Sequence, residues 1–189
     1  MKNIVLFASG SGSNVENIVQ YFKFNPKVTI TAVLSNNKDA KVLERCNKLN
    51  IGALYFNRSS FYEKGLVRKI LRTLSPDLIV LAGFLWRMPQ ELIQDFPDKI
   101  INIHPALLPK YGGKGMYGNH VHQAVKDNME TETGITIHFV NENYDEGAII
   151  YQAKTRISPE DTVQAIANKV QALEYEYFPK IIEKLLNEG

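Results

Sequence analysis

The sequence predicts an α/β fold in which a mostly parallel sheet is flanked by helices and carries antiparallel strands at one edge. The first observation is the alternation of short apolar runs with helical patterns, which implies crossover connections between parallel strands. The second is Leu78–Ala82, a continuous apolar run such as a strand buried on both faces requires. The third is Gly134–Val140, where apolar and polar residues alternate as in a strand with two different faces.

Five apolar, β-rich runs predict the strands of the first half. They are Asn3–Ala8, Val28–Ser35, Ala53–Phe56, Leu78–Ala82 and Ile100–His104. The helical patterns between them are Asn14–Phe22, Ala40–Leu49, Ser60–Leu74 and Pro89–Gln94. The third of these helices is predicted from its apolar spacing, with Ser59 or Ser60 as the N-cap. The fourth opens on proline, whose fixed backbone angle suits the start of a helix.

The second half is predicted to contain a loop, a helix, two strands and a long closing helix. In chain order they are Lys110–Asn119, Val121–Asp127, Gly134–Val140, Ala148–Ile157 and Thr162–Leu186. The glycines of the loop predict that it is mobile. The two strands are expected to extend one edge of the sheet in an antiparallel sense. Pro179 lies within the last helix and is expected to kink or interrupt it.

Composition and charge exclude several classes of protein. The chain has 189 residues, 44% of them hydrophobic and 22% charged, which is typical of one ordinary soluble domain. Its net charge of +2, without a long basic run, argues against a nucleic-acid partner. No run is long enough for a signal peptide or a membrane span, and Cys46 alone cannot form an internal disulfide. A cytoplasmic location is therefore expected.

The end of the fifth predicted strand carries the strongest candidate for chemistry. Asn102 and His104 are two residues apart, so their side chains point to one face, and Pro105 ends the strand. Ligands of open α/β sheets bind at this carboxyl edge. An amide can donate to a developing oxyanion and an imidazole can exchange a proton near neutral pH, which suits chemistry at a carbonyl carbon. The alternative is a strand end where both groups satisfy local backbone atoms.

Small residues join the first predicted strand to the first helix. The segment Ala8-Ser-Gly-Ser-Gly-Ser-Asn14 places amide donors at a helix N-terminus, which predicts a phosphate site. It is not a dinucleotide fingerprint, because Val15 stands where a third small residue is required and no acid ends the second strand. It is not a P-loop either, because Gly-Lys-Ser/Thr is absent. The alternative is a tight turn in which serine or asparagine caps the helix.

Two further segments follow predicted strands. Asn141–Gly147 is a turn by composition and offers Asp145 and Glu146. A carboxylate beside His104 would orient the ring and raise its pKa, whereas the alternative is a solvated hairpin turn. Leu81–Met88 carries the only tryptophan and is expected to line a pocket for a flat heterocycle, with core packing as the alternative.

The remaining polar candidates are weaker. Gln171 and Glu174 interrupt the apolar face of the last helix, where they would contact a ligand or face solvent. His120 and His122 flank a single residue, but no third metal ligand lies nearby, so they are interpreted as loop and helix-start residues. His138, on a strand, is interpreted as a satisfied core residue.

Taken together, these segments resemble the folate-dependent phosphoribosylglycinamide formyltransferase family. The resemblance is carried, in chain order, by Gly10–Asn14, Leu81–Phe84, Asn102–Lys110, Gly134–Val140 and Asp145–Gly147. It implies a Rossmann-like formyltransferase domain over residues 1–189, with a nucleotide- and phosphate-binding half at 1–100 and a folate-binding and catalytic half at 101–189. The Asn-x-His-Pro-x-Leu-Leu-Pro string is specific for folate formyl-transfer domains but does not separate their members.

The resemblance implies formyl transfer from 10-formyltetrahydrofolate to the amine of 5′-phosphoribosylglycinamide in de novo purine synthesis. It also implies a cytoplasmic monomer or homodimer that needs no metal, nucleic acid or membrane. His104 matches the catalytic histidine, Asn102 its amide partner and Asp145 the carboxylate that tunes the histidine. The residues matched to the phosphate and nucleotide are Gly12, Ser13, Asn14, Gln171 and Glu174. The residues matched to the folate are Lys64, Leu85, Trp86, Arg87, Met88 and Asn102.

One departure and three rivals remain open. The loop Tyr111–Asn119 is longer and richer in glycine than is usual in the family, so its contacts are not carried over. A methionyl-tRNA formyltransferase would want a basic C-terminal domain, which the length and charge do not provide. A formyltetrahydrofolate hydrolase would use water as acceptor and carry an added N-terminal domain, whereas the first strand begins at residue 3. A silent nucleotide-binding module would not need Asn102, His104 and Asp145 together.

Overall fold

The computed structural model describes residues 1–188, which fold around one seven-stranded sheet. The strands are β1 Lys2–Phe7, β2 Val28–Ser35, β3 Ala53–Tyr55, β4 Leu78–Leu81, β5 Ile100–His104, β6 Glu132–Phe139 and β7 Ile149–Arg156. Their order across the sheet is β3-β2-β1-β4-β5-β6-β7. The first five are parallel, whereas β6 and β7 are added antiparallel beside β5. The predicted mostly parallel sheet with an antiparallel edge is confirmed.

Seven helices lie within the described residues. They are α1 Ser13–Phe22, α2 Lys41–Lys48, α3 Arg58–Tyr62, α4 Leu66–Leu74, α5 Gln90–Asp95, α6 Asn119–Asp127 and α7 Val163–Glu188. No helix in this part of the chain is both long enough and apolar enough to span a bilayer.

The two faces of the sheet bury separate apolar layers. Along β1, Ile4 and Leu6 pack with one layer, which includes side chains of α1 and α7. Val5 and Phe7 pack with the other, which includes side chains of α4 and α5. Because successive side chains of a strand point to opposite faces, a strand covered on both sides must be apolar at every position. This requirement explains the continuous apolar runs of β1 and β4.

The helix predicted over 60–74 is wrong as a single element, because it is broken into α3 and α4. Gly65 adopts a φ of +60° at the break, a left-handed conformation that glycine tolerates and that stops a helix. The predicted cap at Ser59 or Ser60 is also wrong. Asn57 is the N-cap of α3, and its side-chain oxygen accepts a hydrogen bond from the Ser60 amide at 2.9 Å. The break places Lys64 between two short helices.

The predicted interruption at Pro179 does not occur, since α7 continues through this residue to Glu188. Proline has no amide hydrogen, so the carbonyl of Tyr175 one turn earlier lacks its usual donor. The Asn17 side chain of α1 donates to that carbonyl at 3.0 Å. Burial of Pro179 in the apolar layer and this substitute hydrogen bond allow the helix to pass through. The same bond ties α7 to the start of the chain.

Candidate active site

A cavity of about 760 Å³ opens at the carboxyl ends of the central strands. The strand order reverses direction beside β1, because β2 and β3 lie on one side of it and β4 on the other. This reversal is where open α/β sheets leave a crevice for ligands. Most of the residues proposed from the sequence line the cavity: Asn14, Leu85, Trp86, Arg87, Met88, Asn102, His104, Asp145, Gln171 and Glu174. Gly12, Ser13 and Lys64 do not line it.

The end of β5 and the turn after β6 bring three polar side chains together. His104 Nδ1 lies 3.5 Å from Asp145 Oδ2, and Asn102 Nδ2 lies 3.5 Å from Asp145 Oδ1. The ring of His104 is almost fully buried, with only 4% of its side chain exposed. Asn102 and His104 share a face because they are two apart on one strand, as the sequence predicted. One carboxylate therefore faces both the amide and the imidazole.

Backbone geometry places the Asp145 carboxylate. The turn that carries it closes at Gly147, where a Cβ would stand only 1.7 Å from the carbonyl oxygen of Phe139. The backbone amide of Gly113 donates to Asp145 Oδ2 at 2.9 Å from the glycine-rich loop. Burial raises the cost of ionising Asp145, but hydrogen bonding to His138, the charge of His104 and the Gly113 amide together hold its pKa below the usual value. The side chain is therefore a carboxylate at neutral pH.

Asp145 raises the pKa of His104, as expected, but the pKa still lies below its usual value. Burial is the largest influence and lowers the pKa of His104. The attraction of Asp145 and the carbonyl of Tyr111 both raise it, but they offset only part of the burial. The pKa of His104 therefore lies below its ordinary value, which favours the neutral ring near neutral pH.

His138 is a site residue that the sequence interpretation missed. It pairs with Asn102 across β5 and β6, and its Nε2 lies 3.1 Å from Asn102 Nδ2 and 3.6 Å from Asp145 Oδ1. Its Nδ1 hydrogen bonds the carbonyl of Phe139 at 2.8 Å, so Nδ1 carries the hydrogen and Nε2 accepts from Asn102. The alternation in β6, which puts His138 on the polar face with Thr136, was the signal available in the sequence.

His122 is the second missed residue, whereas His120 is exposed on the same helix. The His122 ring is buried, lines the cavity, and has no hydrogen-bond partner for Nδ1. Burial and the neighbouring His104 lower its pKa. Within residues 1–188 no group of three or more His, Cys, Asp or Glu side chains is arranged to hold a metal ion.

The loop after β1 meets α7 at the opposite end of the cavity. Asn14 Nδ2 donates to Glu174 Oε2 at 2.8 Å, while the buried Asn14 Oδ1 has no partner. Burial raises the pKa of Glu174, and the Asn14 hydrogen bond opposes that change. Gly12 is the N-cap of α1 with a φ of +74° and no side-chain cap, so amide donors of the first turn remain free. A Cβ on Gly12 would stand 2.4 Å from the Val42 side chain, so this glycine faces the core.

Apolar and aromatic side chains form the third wall, after β4. Leu85 is 48% exposed at the cavity, whereas Met88 is buried beneath it. The Trp86 ring packs against Phe56 and Tyr62 with centroid separations of 6.0 and 5.9 Å. The wall thus offers a flat apolar surface beside His104. The structure leaves Lys64 exposed on the α3–α4 connection and outside the cavity.

Comparisons with known proteins converge on one activity. The family described as formyl transferase matches residues 2–182. A phosphoribosylglycinamide formyltransferase from Haemophilus influenzae is 37% identical over 194 residues, covering 100% of this chain and 89% of that protein. The chloroplastic phosphoribosylglycinamide formyltransferase of Arabidopsis thaliana is 35% identical, and the match covers 99% of this chain and 66% of that protein. The crystal structure of phosphoribosylglycinamide formyltransferase from Bacillus halodurans superposes with a TM-score of 0.88 at 32% identity, covering 98% of this chain and 95% of that one.

Proposed function

The chain belongs to the formyl transferase family, among the phosphoribosylglycinamide formyltransferases, and we propose that it formylates 5′-phosphoribosylglycinamide with 10-formyltetrahydrofolate in de novo purine synthesis. The observation that carries the proposal is the single cavity in which His104, Asn102 and Asp145 lie between the Asn14 loop and the apolar wall. Residues 1–189 form one formyltransferase domain in this proposal. Its halves, 1–100 and 101–189, both contribute to the cavity.

His104 moves the proton. As the amine nitrogen forms its bond to the formyl carbon, it must lose a proton, and the folate nitrogen must gain one before the carbon–nitrogen bond to folate breaks. A neutral imidazole is suited to take the first proton and return it at the second step. Because Nε2 is bonded to the Tyr111 carbonyl, the proton is taken up at Nδ1, which faces Asp145 Oδ2 at 3.5 Å. The carboxylate of Asp145 stabilises the transient imidazolium.

Asn102 supports the negative oxygen of the tetrahedral intermediate. One amide hydrogen is occupied by His138 Nε2 at 3.1 Å, while the other makes only a long contact of 3.5 Å with Asp145. The second hydrogen is therefore the donor available to an oxyanion. The hydrogen bond to His138 fixes the orientation of the Asn102 amide.

The two ends of the cavity fit the two substrates. The free amides of the first turn of α1, together with Asn14 in the cavity wall, suit the phosphate of the ribonucleotide, and Ser13 contributes from outside the cavity lining in this proposal. Gln171 and Glu174 line the adjacent wall and suit its ribose and glycinamide. The flat pterin of the folate lies against Leu85–Met88 in this proposal. Lys64 would reach a folate tail only from outside the cavity.

The rival functions are less well supported. A tRNA acceptor would be favoured by a basic surface, whereas the net charge is +2. If water were the acceptor, no substrate group would bind at the Asn14–Glu174 end of the cavity. The proposed partners are therefore two small molecules, with the chain acting as a cytoplasmic monomer or homodimer and using neither metal, nucleic acid nor membrane.

The experiment that tests the proposal compares two acceptors. Formyl transfer from 10-formyltetrahydrofolate is measured with phosphoribosylglycinamide and with the same compound lacking its phosphate. We expect the phosphorylated acceptor to be used with a KM lower by about 10²-fold or more, since a charge-assisted phosphate site stabilises binding by several kcal/mol. Equal use of both acceptors, or transfer to neither, would contradict the proposal.

A further inference from the structure

The catalytic histidine is held by the main chain of the glycine-rich loop. His104 Nε2 lies 2.7 Å from the carbonyl oxygen of Tyr111. The ring is buried, so solvent does not replace this acceptor. A carbonyl can only accept, so Nε2 carries the hydrogen in the neutral ring and Nδ1 keeps its lone pair on the side of Asp145. The position of this one carbonyl therefore decides which nitrogen serves the reaction.

Tyr111 presents that carbonyl from an unfavourable backbone conformation. Its φ is +59°, in the left-handed region that side chains other than those of Gly, Asn and Asp rarely adopt. Such a conformation persists only where surrounding contacts hold it. The following residues, Gly112 and Gly113, offer no side chain that holds the backbone in place. The Gly113 amide is anchored on Asp145 Oδ2 at 2.9 Å, and the other contacts that hold the conformation come from the Tyr111 side chain.

Two contacts of the Tyr111 side chain hold its backbone conformation. The Tyr111 ring packs against the small apolar cluster of Val125, Ile157 and Ile166, beneath α6 and α7. Its hydroxyl donates to Glu130 Oε1 at 2.8 Å. Glu130 follows α6 and also accepts from Lys110 Nζ at 2.8 Å. Neither Tyr111 nor Glu130 lines the main cavity, so neither touches a substrate there.

The protonation states of Tyr111 and Glu130 favour a persistent hydrogen bond between them. Burial and the Glu130 carboxylate raise the pKa of Tyr111 to about 12. Hydrogen bonds from Lys110 and Tyr111 lower the pKa of Glu130. At neutral pH the phenol is therefore a full donor and the carboxylate a full acceptor, and hydrogen bonds of this charge-assisted kind are the stronger ones.

We propose that Glu130 and Tyr111 are positioning residues for catalysis: Glu130 holds the Tyr111 hydroxyl, and the tethered Tyr111 carbonyl fixes the ring of His104 with Nδ1 toward Asp145. The inference rests on the proposed function, because it assigns a task to His104. It gives the unusual loop a role in the reaction: the Tyr111 carbonyl contacts His104, and the Tyr111 side chain holds that carbonyl in place. The alternative is that the pair only stabilises the loop.

The decisive variant is Tyr111→Phe, which removes the hydroxyl and keeps the ring. We expect kcat to fall about tenfold while the KM of each substrate changes less than about twofold. The pKa of His104, measured from its ring signals by NMR, should fall, because the carbonyl that favours the imidazolium is no longer held in place. We expect the acid dissociation constant of the imidazolium to rise about threefold to tenfold. Tyr21→Phe is the matched control, since Tyr21 donates to Glu183 at 2.6 Å on the surface away from the cavity. It should leave all of these values unchanged.

Glu130→Gln keeps an uncharged acceptor and should produce smaller changes in the same directions. It also decides the question if Tyr111→Phe does not fold. An unchanged His104 pKa in a folded variant would overturn the proposal, even with a lower melting temperature. If wild-type protein transferred no formyl group, the proposed function would fail, while the NMR shift would still test the positioning contact separately.

Discussion

The hydroxyl of Thr136 organises the chain segment that follows His104, and removing it tests how this segment of the site is held in place. Thr136 lies opposite His104 on β6 and is fully buried. Its Oγ1 donates to the carbonyl of Ala106 at 2.7 Å and accepts from the Leu108 amide at 3.0 Å and from Gln152 Nε2 at 2.8 Å. Gln152 keeps a second acceptor in the Leu108 carbonyl at 3.0 Å. Two buried backbone groups thus depend on this one hydroxyl.

Thr136→Val keeps the shape of the side chain and removes the hydroxyl. Leaving a buried polar group without a partner costs about 1–3 kcal/mol, and two such groups are left. The added methyl group recovers about 1 kcal/mol by burial. We therefore expect the free energy of unfolding to fall by about 1–5 kcal/mol. In a chain of this size each kcal/mol corresponds to about 2–4 °C, so the melting temperature should fall by about 2–20 °C.

Urea denaturation followed by circular dichroism measures this loss, with Thr136→Ser as the matched control. Serine retains the hydroxyl and should lose no more than about 1.5 kcal/mol, mainly from the missing methyl group. If Thr136→Val were as stable as wild type within about 1 kcal/mol, or if the serine variant lost as much as the valine variant, the hydrogen bonds would not stabilise the segment as argued.

Two further predictions concern a close approach in the sheet and the pH dependence of turnover. In Gly134→Ala the new Cβ would stand 1.9 Å from the carbonyl oxygen of Ala153, so thermal unfolding should show a loss of about 3 kcal/mol or more, whereas Gly10→Ala, with open space around it, should be nearly neutral. Because the pKa of His104 is lowered and the neutral ring accepts the proton in the proposed mechanism, kcat/KM should rise with pH through a midpoint below 6.5. Asp145→Asn removes a charge that raises this pKa, so the midpoint should move to still lower pH and kcat should fall; an unshifted midpoint, or the same shift in Glu146→Gln, would argue against the assigned role.

The elements of this fold could be predicted where sequence pattern and burial coincide. The apolar run of β4 and the alternation of β6 report directly which faces are covered. The break between α3 and α4 could not be seen, because apolar spacing continues across Gly65 and only its left-handed backbone reveals the stop. The interruption expected at Pro179 does not occur, because Asn17, more than 150 residues earlier in the chain, donates to the carbonyl that proline leaves without its usual donor.

The site could be predicted in its chemistry but not in its energetics. The spacing of Asn102 and His104 on one strand is local information, and the structure brings them together at the cavity. The lowered pKa of His104 depends on how completely the fold buries the ring, which no local pattern encodes. Gly12 illustrates the same limit, because its need for glycine arises from Val42, thirty residues later. A Gly12→Val variant would therefore disturb packing and would not report on phosphate binding alone.

The most direct test of the central claim is the rate of formyl transfer from 10-formyltetrahydrofolate to phosphoribosylglycinamide by wild-type protein and by His104→Ala, at saturating substrates. We expect wild type to form the formylated ribonucleotide, and the variant to turn over about 10²–10⁴ times more slowly, the usual contribution of a positioned acid–base group. Dissociation constants for both substrates should remain within about threefold, because His104 acts on the transition state. A wild-type protein without transfer activity, or a His104→Ala variant with near-normal turnover, would contradict the account.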